Sequence, residues 1–374
     1  MQKKVILLVA VFMLNAMQPQ KASSDKVMVD YSVGINYVTH LYTLANIGFS
    51  DEEYANKYAH TVSLEDLKTL QKYQDYLVFA HGKTGVLTSY FFFIPAYANL
   101  KSKADYVQFR DDFAIAIQNK SYNTVQKYFS DKETACLLFS VSEEEWNNIL
   151  IVNETFEEII NLYINNIDTY LTEVLPNIEK ELHDRAAFLN NAVSEKEIIS
   201  NWEEATGYNW SFGDKTYLLF RAGKNGPSFN NLSKNVNTLY YNMDDDYTMD
   251  MFSHEVGIYL ISDSIAPLYE AYDTIYPEYE SNLNIGRVNW MASEMLATFF
   301  NCKINGHKTL DYYNFGNADP IAFMTLYEQM YSQGITNPKD MYEKGAKEYM
   351  KPNGMWNTGV AERNKAFWKE KTMP

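Results

Sequence analysis

From Asp30 to about Trp202, apolar residues return at helical spacing, and near Thr206 that rhythm breaks off. No other feature constrains the fold as much. Within the first stretch, Phe156, Ile159, Ile160, Tyr163, Ile164 and Ile167 make one apolar stripe with acids and amides on the opposite side, as expected of a helix buried along one face. Ser63-Leu64-Glu65-Asp66 opens a helix in capping-box fashion, and Gly82 after His81 closes it. Ser142-Glu143-Glu144-Glu145 and Ser194-Glu195-Lys196-Glu197 repeat the opening device. Tyr90-Phe91-Phe92-Phe93-Ile94 is the one strongly β-like or fully buried run of this half, and no fixed-period repeat is present.

Beyond Thr206, Gly207, Gly213, Gly223, Gly226 and Pro227 arrive with two β-prone pieces, Thr216-Tyr217-Leu218-Leu219-Phe220 and Thr238-Leu239-Tyr240-Tyr241. They read as strands joined by a glycine-rich loop. Asp244-Asp245-Asp246 and Thr248 then supply an N-cap and favourable charge for a helix from about Thr248 to Asp263. A Ca²⁺ reading of the three aspartates lacks the alternating-ligand loop such sites use. Later helices begin at Asp319-Pro320 and Asn337-Pro338, and Gly334 ends the first of them. The predicted fold is mainly α (α+β): a helical N-terminal domain over 26–204, then a domain over 205–374 with a small sheet and further helices.

Lys3-Lys4, the apolar run Val5 to Leu14 and the small residues Ala16, Ala22, Ser23 and Ser24 have the layout of a secretory signal over residues 1–22. The expectation is export to the periplasm or the cell exterior, with no membrane span in the mature chain. A net charge of −16 without a basic stripe repels phosphate backbones and excludes nucleic acid as a partner. Cys136 and Cys302 both sit in apolar surroundings and read as buried thiols. Two cysteines make neither a disulfide framework nor a Cys₄ zinc site.

The chemistry-bearing residues are His254-Glu255 on the predicted helix and Glu294 on a second one, Asn289 to about Cys302. In the HExxH pattern, two histidines one turn apart bind a single Zn²⁺, and the glutamate between them activates the metal-bound water. The second ligand position holds Ile258, which has no donor atom. The variant spacing with one more residue meets Tyr259, and a neutral phenol is a poor zinc ligand. Ala297 and Thr298, small residues one turn beyond Glu294, let two helices approach closely.

A strand, an acidic cap, Phe252-Ser253-His254-Glu255-Val256-Gly257 and then Trp290-Met291-Ala292-Ser293-Glu294-Met295-Leu296-Ala297 resemble the gluzincin-type zincin metallopeptidases over residues 238–300. Within them the chain is most similar to exported peptidase-like proteins of Bacteroidota-like bacteria. Those pair a helical N-terminal half with a zincin-like C-terminal half and carry a Pro-Leu segment after the motif helix (compare Ala266-Pro267-Leu268). The resemblance implies zinc ligands at His254 and Glu294, a general base at Glu255, and a peptide or protein substrate. It also expects a histidine where Ile258 stands, so Zn²⁺ is expected to bind weakly or not at all.

Two functions follow. One is a metallopeptidase-like protein with a degenerate catalytic site and weak or no peptide-bond hydrolysis. The other is a non-enzymatic envelope protein that keeps the peptidase-derived cleft to hold a polypeptide or a glycan. His307, on the loop Asn305-Gly306-His307-Lys308, is a candidate replacement ligand against the plainer reading of a solvated loop histidine, and Tyr312 and Tyr313 are candidate oxyanion donors. His40, His60, His81 and His183 read as caps or packed imidazoles.

Overall fold

The computed structural model describes residues 25–77, 79–80, 83–84, 94–98, 100–119, 121, 123–129, 143–224, 235–275, 285–307 and 318–350. The expected export signal, the run 90–93, His81, Gly82, Cys136, Ser142, Gly226, Pro227, Tyr312 and Tyr313 lie outside these residues. Apart from the first 25 residues, the chain divides into two compact units, Lys26–Ile198 with Phe212–Ile261, and Ile199–Ser211 with Ser262–Pro374. The described residues are mainly helical, with one three-stranded parallel sheet and a two-residue hairpin ladder, in keeping with the α+β class read from the sequence.

The sheet lies wholly in the first unit. Strand β1 (Val27–Tyr31) turns Val27 and Val29 inward and Met28 and Asp30 outward. It pairs in parallel with β2 (Lys215–Phe220), from Val27 opposite Lys215 to Tyr31 opposite Leu219. On its other side β2 pairs in parallel with β3 (Val236–Tyr240), from Thr216 opposite Val236 to Phe220 opposite Tyr240. The expected strands 216–220 and 238–241 are both found, the second shifted to start at Val236 and end at Tyr240, with Tyr241 in the turn that follows. The expectation of helix from Asp30 onward needs correcting, because Asp30 and Tyr31 end a strand whose partner lies far along the chain.

Helix α1 (Val33–Ala45) follows β1, with the Ser32 hydroxyl oxygen accepting from the Ile35 N–H at 3.4 Å. The buried Asn36 amide locks α1 to β2. It donates to the Ser32 and Leu219 carbonyls at 3.0 and 2.9 Å and accepts from the Arg221 N–H at 2.8 Å. Asp51 caps α2 (Glu52–Tyr58) by accepting from the Tyr54 N–H at 3.0 Å. Ser63 caps α3 (Leu64–Lys72) and exchanges two hydrogen bonds with Asp66, at 3.0 and 2.8 Å, as its sequence predicts. That helix stops at Lys72 instead of continuing to Gly82. Lys72 and Tyr73 are both held by Glu158, at 3.3 and 2.5 Å. A single turn, Gln74–Leu77, and the ladder of 79–80 with 83–84 follow.

Helices α4 (Lys103–Asn119) and α5 (Glu143–Thr169) carry much of the core. Every residue of the Phe156 to Ile167 stripe is buried. Phe156 meets Phe113 with ring centroids 4.4 Å apart, and Tyr163 meets Tyr37 at 6.1 Å. A π-helical turn, Tyr170–Val174, leads straight into α6 (Leu175–Ser194). Pro176 sits in the first turn of α6. It lacks an N–H and crowds the carbonyl four residues back, and a widened turn accommodates both without ending the helix. Ser194, expected to open a helix, instead finishes α6, its hydroxyl donating to the Asn191 carbonyl at 2.7 Å. The break falls at Glu197, whose φ of 44° is left-handed, and α7 (Ile198–Thr206) starts after it. From α6 the Asn190 amide reaches β1, accepting from the Val29 N–H at 2.8 Å and donating to the Val29 carbonyl at 2.7 Å.

In the second unit, α9 (Ile285–Asn305), α10 (Ala318–Ser332) and α11 (Pro338–Met350) pack on one another. The buried Tyr327 hydroxyl donates to the Ala292 carbonyl at 2.9 Å, and Lys303 pairs with Glu328 at 2.9 Å. Small residues on α9, among them Ala292, Ser293, Ala297 and Thr298, are buried. The helix that closes on Ala292 in this unit is α10. Asn337 caps α11 by accepting from the Asp340 N–H at 3.2 Å, and Gly334, at φ 82°, follows the end of α10; both match the sequence reading.

Candidate functional site

The motif helix, α8, runs from Asp245 to Ile275, longer at both ends than the stretch 248–263 expected. Asp244 caps it, accepting from the Tyr247 N–H at 3.1 Å, which is the helix-cap role preferred over Ca²⁺ binding. Its sheet-facing side is set by Phe252, whose ring lies 4.0 Å from that of Tyr217 on β2 and whose carbonyl accepts from the Tyr217 hydroxyl at 2.8 Å. Glu255 and Tyr259, three and seven residues on, continue that side. His254 and Ile258 are half-buried on the neighbouring side, while Glu255 is only 8% exposed.

Glu255 shares its surroundings with a lysine. Lys215, the first residue of β2, is fully buried, and its ammonium stands 4.3 Å from the Tyr259 ring centroid and 5.8 Å from that of Tyr217. Burial lowers the Lys215 pKa to about 7, and the Glu255 carboxylate pulls it partly back up. The same carboxylate acts on phenols around it. Tyr97, Tyr217, Tyr247 and Tyr259 are all raised above the ordinary tyrosine value, first by burial and then by the negative charge of Glu255. At Tyr97 a hydrogen bond with Thr238 works the other way. The cluster is therefore a carboxylate held among one buried cation and several neutral phenols.

Set against protein-family models, curated proteins and solved structures, the chain matches none. Function must be argued from the residues themselves.

His254 and Glu255 are neighbours on α8, whereas Glu294 belongs to the second unit, half-buried on α9, with its carbonyl accepting from the Thr298 hydroxyl at 3.0 Å. Among the described residues, no three His, Cys, Asp or Glu side chains come together as a group that can hold a metal ion. The motif positions on α8 offer one imidazole, His254, and one carboxylate, Glu255, and Ile258 adds no donor. Such a set does not fit a three-ligand zinc site. His307 is exposed, and its N–H closes the end of α9 on the Cys302 carbonyl at 2.8 Å. Cys302 is a buried thiol, as expected. His40 is a packed imidazole, whereas His60 and His183 are exposed beside Glu173 and Asp184. Lys215 escaped the sequence reading. Its signal is a lysine heading an otherwise apolar strand, a pattern equally common at solvent-facing strand ends.

Proposed function

We propose that the chain is an exported, zincin-like protein with a degenerate catalytic site, which holds Zn²⁺ weakly or not at all and hydrolyses peptide bonds weakly or not at all. One observation carries this reading. Glu255, the residue in the general-base position, is buried beside Lys215 and a set of tyrosines. A general base has to reach a water or substrate proton within hydrogen-bonding distance, and a carboxylate buried among tyrosine side chains is poorly placed to do so. The aliphatic side chain of Ile258 in the second ligand position supports the same conclusion.

Elemental analysis of the purified protein, beside a peptidase assay on denatured casein, tests it. The expected result is substoichiometric zinc, no cleavage above background, and increased zinc uptake in Ile258→His. One tightly held zinc per chain, lost in His254→Ala and accompanied by cleavage that Glu255→Gln abolishes, would overturn the proposal. Failure of Ile258→His to gain metal would remove the peptidase ancestry on which it rests.

A further inference from the structure

The first unit contains a cleft of about 870 Å³ at the carboxyl end of its sheet, a size typical of small-ligand sites. Arg221 follows the last residue of β2, and Tyr241 and Asn242 follow the last of β3. The opposite wall is the start of α2, with Asp51, Glu53 and Asn56. The chain thus leaves the carboxyl ends of two adjacent parallel strands at this point, and the cleft lies between those exits and α2. Lys215 and Glu255 lie towards the other end of β2, so this cleft uses none of the residues discussed above.

Its floor is held in place before any ligand arrives. The Arg221 guanidinium lies 2.7 Å from Glu181 and 3.7 Å from Asp51, and it stacks 4.6 Å from the Tyr241 ring centroid. Its backbone N–H is fixed by Asn36. Phe49 wedges the adjoining loop against the exit of β2, where Gly223, at φ 89°, leaves room that a Cβ would fill at 2.5 Å from the Phe49 ring.

The chemistry of the walls selects among ligands. An anion would meet Asp51, Glu52 and Glu53; Arg221 is already matched by two carboxylates, which leaves the exposed Lys224 alone against three acids. A cation would rely on Glu52 and Glu53, which are exposed and whose pairing in water is weak. An apolar molecule would cover Glu53 and the Asn56 and Asn242 amides without pairing them. What remains is a ligand that donates and accepts at many points and offers a flat C–H face to the half-buried ring of Tyr241. We infer that this cleft binds a neutral polyhydroxylated ligand, a glycan of one to a few sugar rings.

Saturation-transfer NMR and calorimetry on the full chain test this, using maltose, cellobiose, lactose, mannobiose and their trisaccharides as probes. The comparators are a glucosamine dimer, a galacturonic acid dimer and a tetra-alanine amide. At least one neutral sugar is expected to bind, and both acidic sugar and peptide to fail. Asn56→Ala and Asn242→Ala are at exposed positions and leave the fold intact; each should weaken binding about tenfold, the scale of one or two lost hydrogen bonds. Tyr241→Ala should abolish it. The inference is overturned if no neutral sugar binds, if binding survives all three variants, or if only the glucosamine dimer or the peptide is retained.

Discussion

His40 and Tyr54 share a hydrogen bond deep in the helical core, with Nδ1 of the imidazole 3.0 Å from the phenol oxygen. The other ring nitrogen lies 3.2 Å from the Thr61 hydroxyl, which itself donates to the Tyr58 carbonyl at 2.7 Å. A hydroxyl has one proton to give. Thr61 must therefore accept from Nε2–H, which leaves Nδ1 to accept from Tyr54. The tautomer is assigned by the network around it.

That arrangement makes the fold acid-sensitive. Burial lowers the His40 pKa to about 3, against an ordinary value of 6.5. Between those values the unfolded chain binds a proton that the folded chain refuses. The contribution of His40 is whole above pH 6.5 and is lost as pH falls towards 3, with a slope of at most ~1.4 kcal/mol per pH unit. Urea unfolding at pH 7, 6 and 5 should show this loss, and His40→Gln should flatten it. An unchanged slope in the variant would remove the assignment.

Lys215 imposes the same sign in a different window. Its pKa of about 7 lies below the ordinary 10.5. Across that interval the unfolded chain again holds the extra proton, so stability rises with pH from about 7 to 10.5, by at most ~1.4 kcal/mol per pH unit. Lys215→Met should abolish the rise. Glu255→Gln removes the charge that props up the ammonium and should extend the window to lower pH. Denaturant midpoints at about pH 5.5, 7, 8.5 and 10 give the measurement, and a Glu255→Gln curve with no added slope below pH 7 relative to the wild type would refute the coupling.

Asn36→Ala should be among the most damaging polar substitutions in the first unit. It leaves the Leu219 carbonyl and the Arg221 N–H without the amide that joins them to α1. The expected loss is about 2–4 kcal/mol, the scale of two stranded backbone groups. A loss below about 1 kcal/mol would mean water replaces the amide at no penalty.

Two glycines with similar backbone angles should respond differently to alanine. Gly207, at φ 72°, has nothing within reach of an added Cβ, so Gly207→Ala should cost about 1 kcal/mol for the left-handed backbone alone. Gly223→Ala adds a collision with Phe49 at 2.5 Å and should cost about 2–4 kcal/mol. Thermal melts of the pair decide it, and equal losses would show that Phe49 yields.

Much of the local structure is legible in the chain. Ser63, Asp244 and Asn337 announce helix starts because a short side-chain acceptor meets free N–H groups within three residues. The Phe156 to Ile167 stripe reads correctly because burial along one face imposes its own period. Strand β1 does not, since five residues become a strand only through Lys215 and its neighbours, nearly two hundred positions away. Ser194 misleads because a left-handed residue at position 197 settles the helix break after it. In the candidate site, Glu255 and Ile258 were visible as a broken motif. The lysine beside Glu255 was not, because neighbours supplied by tertiary packing leave no mark on local spacing.

The bracket that Asn190 forms on Val29 also bears on how the protein meets copies of itself. A short sheet with an open border invites a stranger's backbone to lengthen it. At β1 the amide already fills the bonding groups of Val29 that an incoming chain would seek. Fibril-like growth from that border would have to begin by peeling α6 away, which makes the detachment of one helix the gate to aggregation.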